Sequence, residues 1–159
     1  MADDPDTREQ EPDLVLARAF AEIARTLLAE ETLPATLAKI CGLAVITIDG
    51  CNHAGITVVQ GRKLTTEGAS DDVPERVDLI QYEVNEGPCL DAIREHEVFR
   101  SDDLAQERRW PEFAGRAVEE SGVHSMMGLR LFAEGDTMGS LNLYSRQIGA
   151  FDDKALEVG

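Results

Sequence analysis

The sequence has few basic residues. Its 15 Lys and Arg residues stand against 31 Asp and Glu residues, which gives a formal charge of −16 at pH 7. Nucleic-acid binding takes much of its affinity from Lys and Arg side chains that neutralise phosphates, so we do not expect this segment to bind DNA or RNA by itself. The charge favours solubility but identifies no partner.

Long hydrophobic runs are also missing. No apolar stretch approaches the roughly 20 residues that a membrane span requires. The N-terminus is acidic and has no apolar region typical of a signal peptide. We therefore expect a cytoplasmic protein that does not contact membranes. A chain of 159 residues is the size of one domain.

Cysteine and histidine are scarce. The three cysteines, Cys41, Cys51 and Cys89, contain no Cys-x-x-Cys pair, and an odd number fits reduced thiols better than a disulfide framework or a zinc site. The histidines are His53, His96 and His124. None lies three or four residues from another, so the spacing predicts no metal-binding face.

Phosphate-binding motifs are absent as well. The sequence contains neither G-x-G-x-x-G nor G-x-x-x-x-G-K-[ST]. Paired acids occur at 71–72, 102–103 and 152–153, each just before an apolar segment. Helix capping explains such pairs better than metal binding or acid–base chemistry.

The pattern of apolar residues predicts a mixed α and β domain after a disordered acidic tail at 1–13. Predicted elements follow in this order: a helix from Asp13 to Ala29, a helix from Thr32 to Ile48, a hairpin of 54–59 and 63–67, helices at 73–82 and 89–95, a strand at 98–101, a helix from Pro111 to Gly122, a hairpin of 123–132 and 137–145, and a helix starting near Phe151. The last helix would be cut off at Gly159, and we expect the native chain to continue.

The first predicted helix has an unusually wide apolar stripe. Leu16, Phe20, Ile23 and Leu27 follow one face, and a row of mostly alanines lies beside them. A stripe this wide can pack on its own sheet and also on a partner helix. We therefore expect a homodimer formed through the N-terminal and C-terminal helices.

Several local strings strengthen this order of elements: Gly87-Pro88-Cys89-Leu90-Asp91-Ala92-Ile93, Val98-Phe99-Arg100-Ser101-Asp102-Asp103, Arg109-Trp110-Pro111-Glu112-Phe113 and Gly139-Ser140-Leu141-Asn142-Leu143-Tyr144-Ser145. Over residues 14–159 the sequence resembles the GAF domains of actinobacterial regulators in which a GAF domain precedes an RNA-binding ANTAR domain. RNA binding would belong to the ANTAR segment, which is not in this sequence.

The resemblance implies an α+β, PAS-like fold. Its central antiparallel sheet would have about six strands, with the terminal helices on one face and a small-molecule pocket under the intervening helices on the other. The implied function is a ligand-sensing, dimerising regulatory domain for signal transduction or transcription antitermination. The alternative is a purely structural dimerisation module without a ligand. Neither the ligand nor a cofactor follows from the sequence.

Seven residues are candidates for contact with a ligand: Tyr82, Cys89, Arg100, Trp110, His124, Met126 and Asn142. Cys89 begins a helix, where the dipole favours a thiolate, although a small buried residue is the commoner case. Trp110 either stacks on a ligand or buries its ring beside a helix. Met126 and Met127 point to opposite faces of a strand, so at most one lines a pocket.

The remaining candidates are polar. Asn142, between Leu141 and Leu143, would orient a ligand, and Tyr82 and Arg100 are weaker candidates of the same kind. His124 lies inside a predicted strand, where a structural hydrogen bond is more common than a role as a haem ligand.

We expect no catalytic residue and no metal site. GAF-like free methionine-(R)-sulfoxide reductases are the enzymatic alternative, and their catalytic cysteine lies in the region that corresponds here to 103–123. That region contains no cysteine. The nucleophile that this chemistry requires is therefore missing from the expected place.

Overall fold

The structure is a computed structural model that describes residues 32–95, 98–132 and 138–151. Within these ranges the elements are α1 Leu33–Thr47, β1 His53–Gln60, β2 Lys63–Ala69, α2 Asp72–Val84, α3 Pro88–Glu95, β3 Phe99–Ser101, a 3-10 turn Leu104–Gln106, α4 Pro111–Ser121, β4 Ser125–Phe132 and β5 Met138–Ser145. The predicted acidic tail, the first helix and the helix after Phe151 lie outside the described residues.

The described strands form one antiparallel sheet of five strands in the order β2-β1-β5-β4-β3. This confirms the α+β class and the antiparallel sheet, although we expected about six strands. The two hairpins were predicted correctly, but β2 continues through Gly68 and Ala69, which we had assigned to a loop.

Helices cover both faces of the sheet. On one face α1 packs over a cluster that includes Ile56, Met127 and Leu143. On the other face α2 and α4 contribute Val77 and Phe113 to a second cluster, which also contains Met126 and Tyr144 of the sheet and Trp110. The adjacent residues Met126 and Met127 therefore point to opposite faces, as strand alternation predicts.

Local signals explain where α2 begins and ends. The Asp71 side chain accepts a hydrogen bond from the backbone N–H of Val73 at 2.9 Å, which caps the first turn. Asn85 ends the helix in the left-handed region, with φ of 57°. His53 Nδ1 lies 2.6 Å from Asp71 Oδ2 and ties the start of β1 to this cap. The contacts fix the position of a helix that carries three of the site residues described below.

Helix α4 begins with Pro111, and Gly122, whose φ of 73° suits glycine, caps its C-terminal end. Both limits match the sequence prediction. A residue remote in sequence caps its N-terminal amides: Glu86 Oε2 accepts hydrogen bonds from the N–H groups of Glu112 and Phe113 at 3.0 and 3.2 Å. The turn between α2 and α3 is thereby joined to α4.

Candidate functional site

The strand residues on the α2 side of the sheet form cross-strand pairs with unusual polarity. Thr57 of β1 pairs with Ser140 of β5, and Gly55 pairs with Asn142. Beside them on β4, Gly128 also pairs with Asn142. Three of these five positions, Thr57, Ser140 and Asn142, carry polar side chains where an ordinary core layer would be apolar. Here they place hydroxyl and amide groups at the centre of the sheet.

A bulge in β2 adds a further hydroxyl to this layer. The β1–β2 register shifts between Ile56 and Thr57, so that Ile56 pairs with Gly68 and Thr57 pairs with Thr66. Bulges of this kind redirect side chains without ending a sheet. The shift sets the Thr57 and Thr66 side chains on the same face, towards α2.

Helix α2 supplies Asp78, Gln81 and Tyr82 to the same place. Their spacing of three and four residues aligns them on one face of the helix. Asp78 and Gln81 are completely buried, whereas Tyr82 is partly exposed. Two glycines permit the close approach of helices to the sheet: a Cβ atom at Gly55 would lie 2.8 Å from Pro74 Cβ, and one at Gly128 would lie 2.8 Å from Pro88 O.

Hydrogen bonds join these side chains into one network, which we call the Asp78 network. It consists of Thr57, Thr66, Asp78, Gln81, Tyr82, Ser140, Asn142 and Tyr144. Asn142 lies at its centre: Nδ2 donates to Thr57 Oγ1 at 3.0 Å, and Oδ1 accepts from Ser140 Oγ at 2.8 Å. The Tyr82 hydroxyl lies 2.7 Å from Thr57 Oγ1.

The Asp78 carboxyl group has a different environment at each oxygen. Oδ1 accepts hydrogen bonds from Tyr144 OH, from Gln81 Nε2 at 3.3 Å and from Asn142 Nδ2 at a long 3.5 Å. Oδ2 accepts from Thr66 Oγ1 at 2.9 Å. Burial raises the pKa of Asp78 to about 6, and these hydrogen bonds act in the opposite direction by stabilising the carboxylate.

Of the predicted residues, Asn142 and Tyr82 belong to the Asp78 network, and two more lie next to it. Met126 is buried on the same face and pairs with Tyr144. Cys89 is fully buried at the start of α3, and its backbone N–H donates to Gln81 Oε1 at 3.1 Å. Burial raises the pKa of its thiol well above the usual value, so the reactive thiolate is not supported.

Trp110 packs in the core on the α2 side of the sheet and does not belong to the Asp78 network. It is only 2% exposed, and its Nε1 donates to Asp91 Oδ2 at 2.8 Å. The Arg109 guanidinium carbon lies 4.4 Å from the indole ring centre, and Phe99 meets the ring edge-on. In the structure Trp110 therefore buries its ring beside a helix, which is the second of the two roles considered for it.

Arg100 and His124 are not brought together with the others. Arg100 pairs with Met127, which places it on the α1 face, and its Nε lies 3.3 Å from Asp102 Oδ1. His124 precedes β4 instead of lying within it, because the strand begins at Ser125. Its Nδ1 is buried without a hydrogen-bond partner among the described residues.

Sequence reasoning missed Asp78, Gln81, Thr57, Thr66, Ser140 and Tyr144. The signal for the last two was present, since Ser140, Asn142 and Tyr144 alternate with Leu141 and Leu143. Asp78 and Gln81 lie between the apolar residues of α2. A surface helix usually packs an apolar face on the core, so the sequence pattern did not indicate that these two polar side chains face the sheet.

The cysteines give no thiol pair at this site. Cys41 and Cys51 belong to the cluster on the α1 face, whereas Cys89 lies on the other face. Burial raises the pKa of Cys41 to about 12 and that of Cys51 to about 11. Among the described residues, no group of three or more His, Cys, Asp or Glu could hold a metal ion. Nor does any helix in the described ranges have the length and apolar character to cross a membrane.

A helix-covered antiparallel sheet with a polar centre on one face defines an α+β domain. The sequence model of the family GAF_2, described as GAF domain, matches residues 30–159. The chain therefore belongs to the GAF domain family. A comparison with curated proteins gives no match.

Solved structures with a similar fold include GAF domains of larger proteins and a methionine sulfoxide reductase. The GAF domain region of a putative membrane protein from Geobacter sulfurreducens has a TM-score of 0.60 at 14% identity and covers 88% of this chain and 89% of its own. The GAF domain of a phosphoenolpyruvate-protein phosphotransferase from Coxiella burnetii has a TM-score of 0.62 at 11% identity, covering 87% and 82%.

The reduced form of the free methionine-R-sulfoxide reductase (fRMsr) of Staphylococcus aureus has a TM-score of 0.63 at 16% identity and covers 86% of this chain and 82% of its own. At these identities the likeness concerns the fold alone. Since the fold does not fix a function, the function has to be inferred from the side chains of the site.

Proposed function

We propose that this domain is a ligand-sensing regulatory module that binds a small polar molecule at the Asp78 network and catalyses no reaction itself. The observation that carries the proposal is the burial of Asp78, Gln81, Asn142 and Ser140 at the centre of the sheet, each with no exposed surface. Burying polar groups costs free energy that an apolar core would avoid. A binding site gives a reason for that cost.

The position of Tyr82 supports access to this network from solvent. Tyr82 and Thr66 are only partly buried, whereas their partners Thr57 and Asp78 are completely buried. Tyr82 lies towards the C-terminal end of α2 and above the edge strand β2. A rotation of its side chain would open the hydroxyl groups of Thr57 and Thr66 to a ligand while the sheet stays intact.

The proposal that the domain catalyses no reaction rests on the cysteines. All three thiols are buried, and burial raises the pKa of each. A thiol nucleophile requires the deprotonated form and access to a substrate. We therefore assign this chain a binding function, in contrast to the sulfoxide reductases whose fold it shares.

The resemblance to GAF–ANTAR regulators supports a finer proposal. The domain would form a homodimer through the N-terminal and C-terminal helices that the sequence predicts, and would control an RNA-binding module in a longer protein. A ligand changes such an equilibrium only through different affinities for two packing arrangements. We expect the ligand to favour one arrangement of these predicted helices over another.

A structural dimerisation module is the second candidate, and one observation favours it. The side chains of the Asp78 network satisfy one another's hydrogen bonds, as they would in a filled core. The two candidates differ in one measurable respect, since only the sensor gains stability from a small molecule.

A thermal-shift screen with a panel of small metabolites at millimolar concentration tests the proposal. Hits are retested with Thr57→Val, which removes one hydroxyl from the network, and with Ile56→Val, a change of similar size at the next residue on the opposite face. We expect a compound that raises Tm of the wild type and of Ile56→Val but not of Thr57→Val. Equal responses of the two variants, or no response to any compound, would favour the structural module.

A further inference from the structure

The Asp78 carboxyl group is buried among neutral hydrogen-bond donors. Its oxygens receive hydrogen bonds from hydroxyl groups of Tyr144 and Thr66 and from side-chain amides of Gln81 and Asn142. Buried carboxylates in proteins are usually paired with a cation, because neutral donors offset only part of the cost of desolvation. The contacts of Asp78 thus leave its negative charge uncompensated.

The two oxygens of Asp78 are unequally engaged. Oδ1 accepts three hydrogen bonds, whereas Oδ2 accepts one, from Thr66 Oγ1. A carboxylate oxygen has room for two or more donors. On the sheet beside Oδ2 lies Gly55, which has no side chain that could donate a hydrogen bond to this oxygen. The remaining acceptor capacity is therefore concentrated at Oδ2.

Oδ2 lies at the inner end of a row of oxygens. Thr66 Oγ1 is 2.9 Å from Asp78 Oδ2, Tyr82 OH is 3.0 Å from Thr66 Oγ1, and Thr57 Oγ1 is 2.7 Å from Tyr82 OH. Each hydroxyl can rotate to act as an acceptor. A primary ammonium group has three N–H donors and no acceptor, and it complements such a set of oxygens in both charge and hydrogen bonding.

We propose that the ligand of the Asp78 network carries a primary ammonium group, which donates hydrogen bonds to Asp78 Oδ2 and to the hydroxyl groups of Thr66 and Tyr82. This assignment rests on the proposed function and specifies the ligand class for the same site. The formal charge of −16 also raises the concentration of cations near the protein and disfavours anionic ligands.

Nuclear magnetic resonance titrations of the ¹⁵N-labelled 159-residue chain at pH 7.5 test the assignment. The probes are ethylammonium chloride, tetramethylammonium chloride, acetamide and sodium acetate, each added separately at constant ionic strength. The readout is the side-chain NH₂ signals of Asn142 and Gln81. We expect fragments of three to five heavy atoms to bind with dissociation constants in roughly the millimolar range, so concentrations extend to tens of millimolar.

We expect ethylammonium to shift both signals in a saturable manner and tetramethylammonium to leave them unchanged, because it has the charge but no N–H donor. Asp78→Asn should abolish the ethylammonium response, while Glu75→Gln, which removes an exposed carboxylate of the same helix, should preserve it. Thr66→Val should weaken the response at least about threefold, since it removes one acceptor. Because Thr66→Val leaves Asp78 unchanged, it tests the assignment even if Asp78→Asn does not fold.

The other outcomes separate the two proposals. A response to acetamide or acetate without one to ethylammonium would overturn the ammonium assignment and leave a ligand site in place. An equal response to tetramethylammonium and ethylammonium would also overturn it, because charge alone would then explain binding. No response to any of the four probes would contradict both the assignment and the proposed site.

Discussion

Gly128 lies directly beneath Pro88, and a Cβ atom at Gly128 would be 2.8 Å from the Pro88 carbonyl oxygen and 3.1 Å from the Cα atom of Cys89. Both neighbours are backbone atoms, so they cannot move aside by changing a rotamer. The glycine on β4 therefore sets how closely α3 approaches the sheet. This contact also holds Cys89 against the Asp78 network.

We predict that Gly128→Ala lowers the free energy of unfolding by about 1–3 kcal/mol, as is typical of overpacking in a core. Gly115→Ala is the matched control, because a Cβ atom there meets nothing within 4 Å. In the middle of α4 the control should stabilise the protein by about 0.5–1 kcal/mol. Urea unfolding of both variants measures the difference, and equal effects would show that α3 can move away freely.

The raised pKa of Asp78 predicts a specific dependence of stability on pH. Burial raises its folded-state pKa from 3.8 to about 6, so the folded protein binds this proton more tightly than the unfolded chain does. Stability therefore falls as pH rises through this window and stays lower above it. Between pH 5 and pH 7.5 the contribution of Asp78 should become less favourable by about 1 kcal/mol.

Asp78→Asn removes this dependence while it preserves the shape of the side chain. Its amide oxygen can keep the three donors now at Oδ1, and its NH₂ group can donate to Thr66. We expect the stability of Asp78→Asn relative to wild type to increase from pH 5 to pH 7.5, measured by urea unfolding. A constant difference across this range would mean that Asp78 titrates at its ordinary pKa in the fold.

The fold was largely predictable because its signals are local. Pro111 and Gly122 mark the ends of α4, and Asp71 caps α2 in the structure as the paired acids indicated. The Asp78 network was harder to predict, because it depends on which face of α2 meets which face of the sheet. Strand alternation gives only relative faces, so Asn142 was found whereas its partner Asp78, 64 residues away in sequence, was not.

The position of Arg100 illustrates the same limit. Its strand, β3, has three residues, and alternation alone does not say which of them faces the site. Pairing with Met127 places Arg100 on the α1 face. The bulge that aligns Thr57 with Thr66 was likewise invisible in the sequence, because it depends on the register between two strands.

The cap that Glu86 provides for α4 predicts a loss of stability in Glu86→Ala. Trp110 precedes the helix and makes no side-chain cap, whereas Glu86 accepts hydrogen bonds from two N-terminal amides of α4. We expect a loss of about 1 kcal/mol, as for other N-caps. Glu75→Ala, at an exposed position of α2, should change stability by less than about 0.5 kcal/mol. Equal effects on thermal unfolding would contradict the capping role.

Glu107 and Arg109 form an ion pair beside Trp110. Arg109 donates to both carboxylate oxygens of Glu107 at 2.9 Å, and Ser101 Oγ donates to Oε2 at 2.7 Å. Hydrogen bonds from Arg109 and Ser101 lower the pKa of Glu107 from 4.5 to about 2. The stability from this pair is therefore present above pH 4.5 and is lost as pH falls towards 2.

Glu107→Gln should lower the free energy of unfolding at pH 7 by about 1–2 kcal/mol, because it replaces charge-assisted hydrogen bonds with neutral ones. The difference from wild type should shrink at pH 3. Glu119→Gln, at an exposed position of α4, serves as the control. Thermal unfolding of wild type and variants at both pH values measures these differences. If the stability difference between wild type and Glu107→Gln grew at low pH, the Glu107–Arg109 ion pair could not be its source.

Native mass spectrometry of the chain purified from cells tests the central claim most directly, because it reports a retained molecule and the oligomeric state together. We predict a dimer with a reproducible extra mass that is lost under denaturing conditions, present in the wild type and in Ile56→Val and reduced in Thr57→Val. A bare polypeptide mass in all three proteins, unchanged after incubation with the compounds of the metabolite panel, would contradict a ligand site at the Asp78 network.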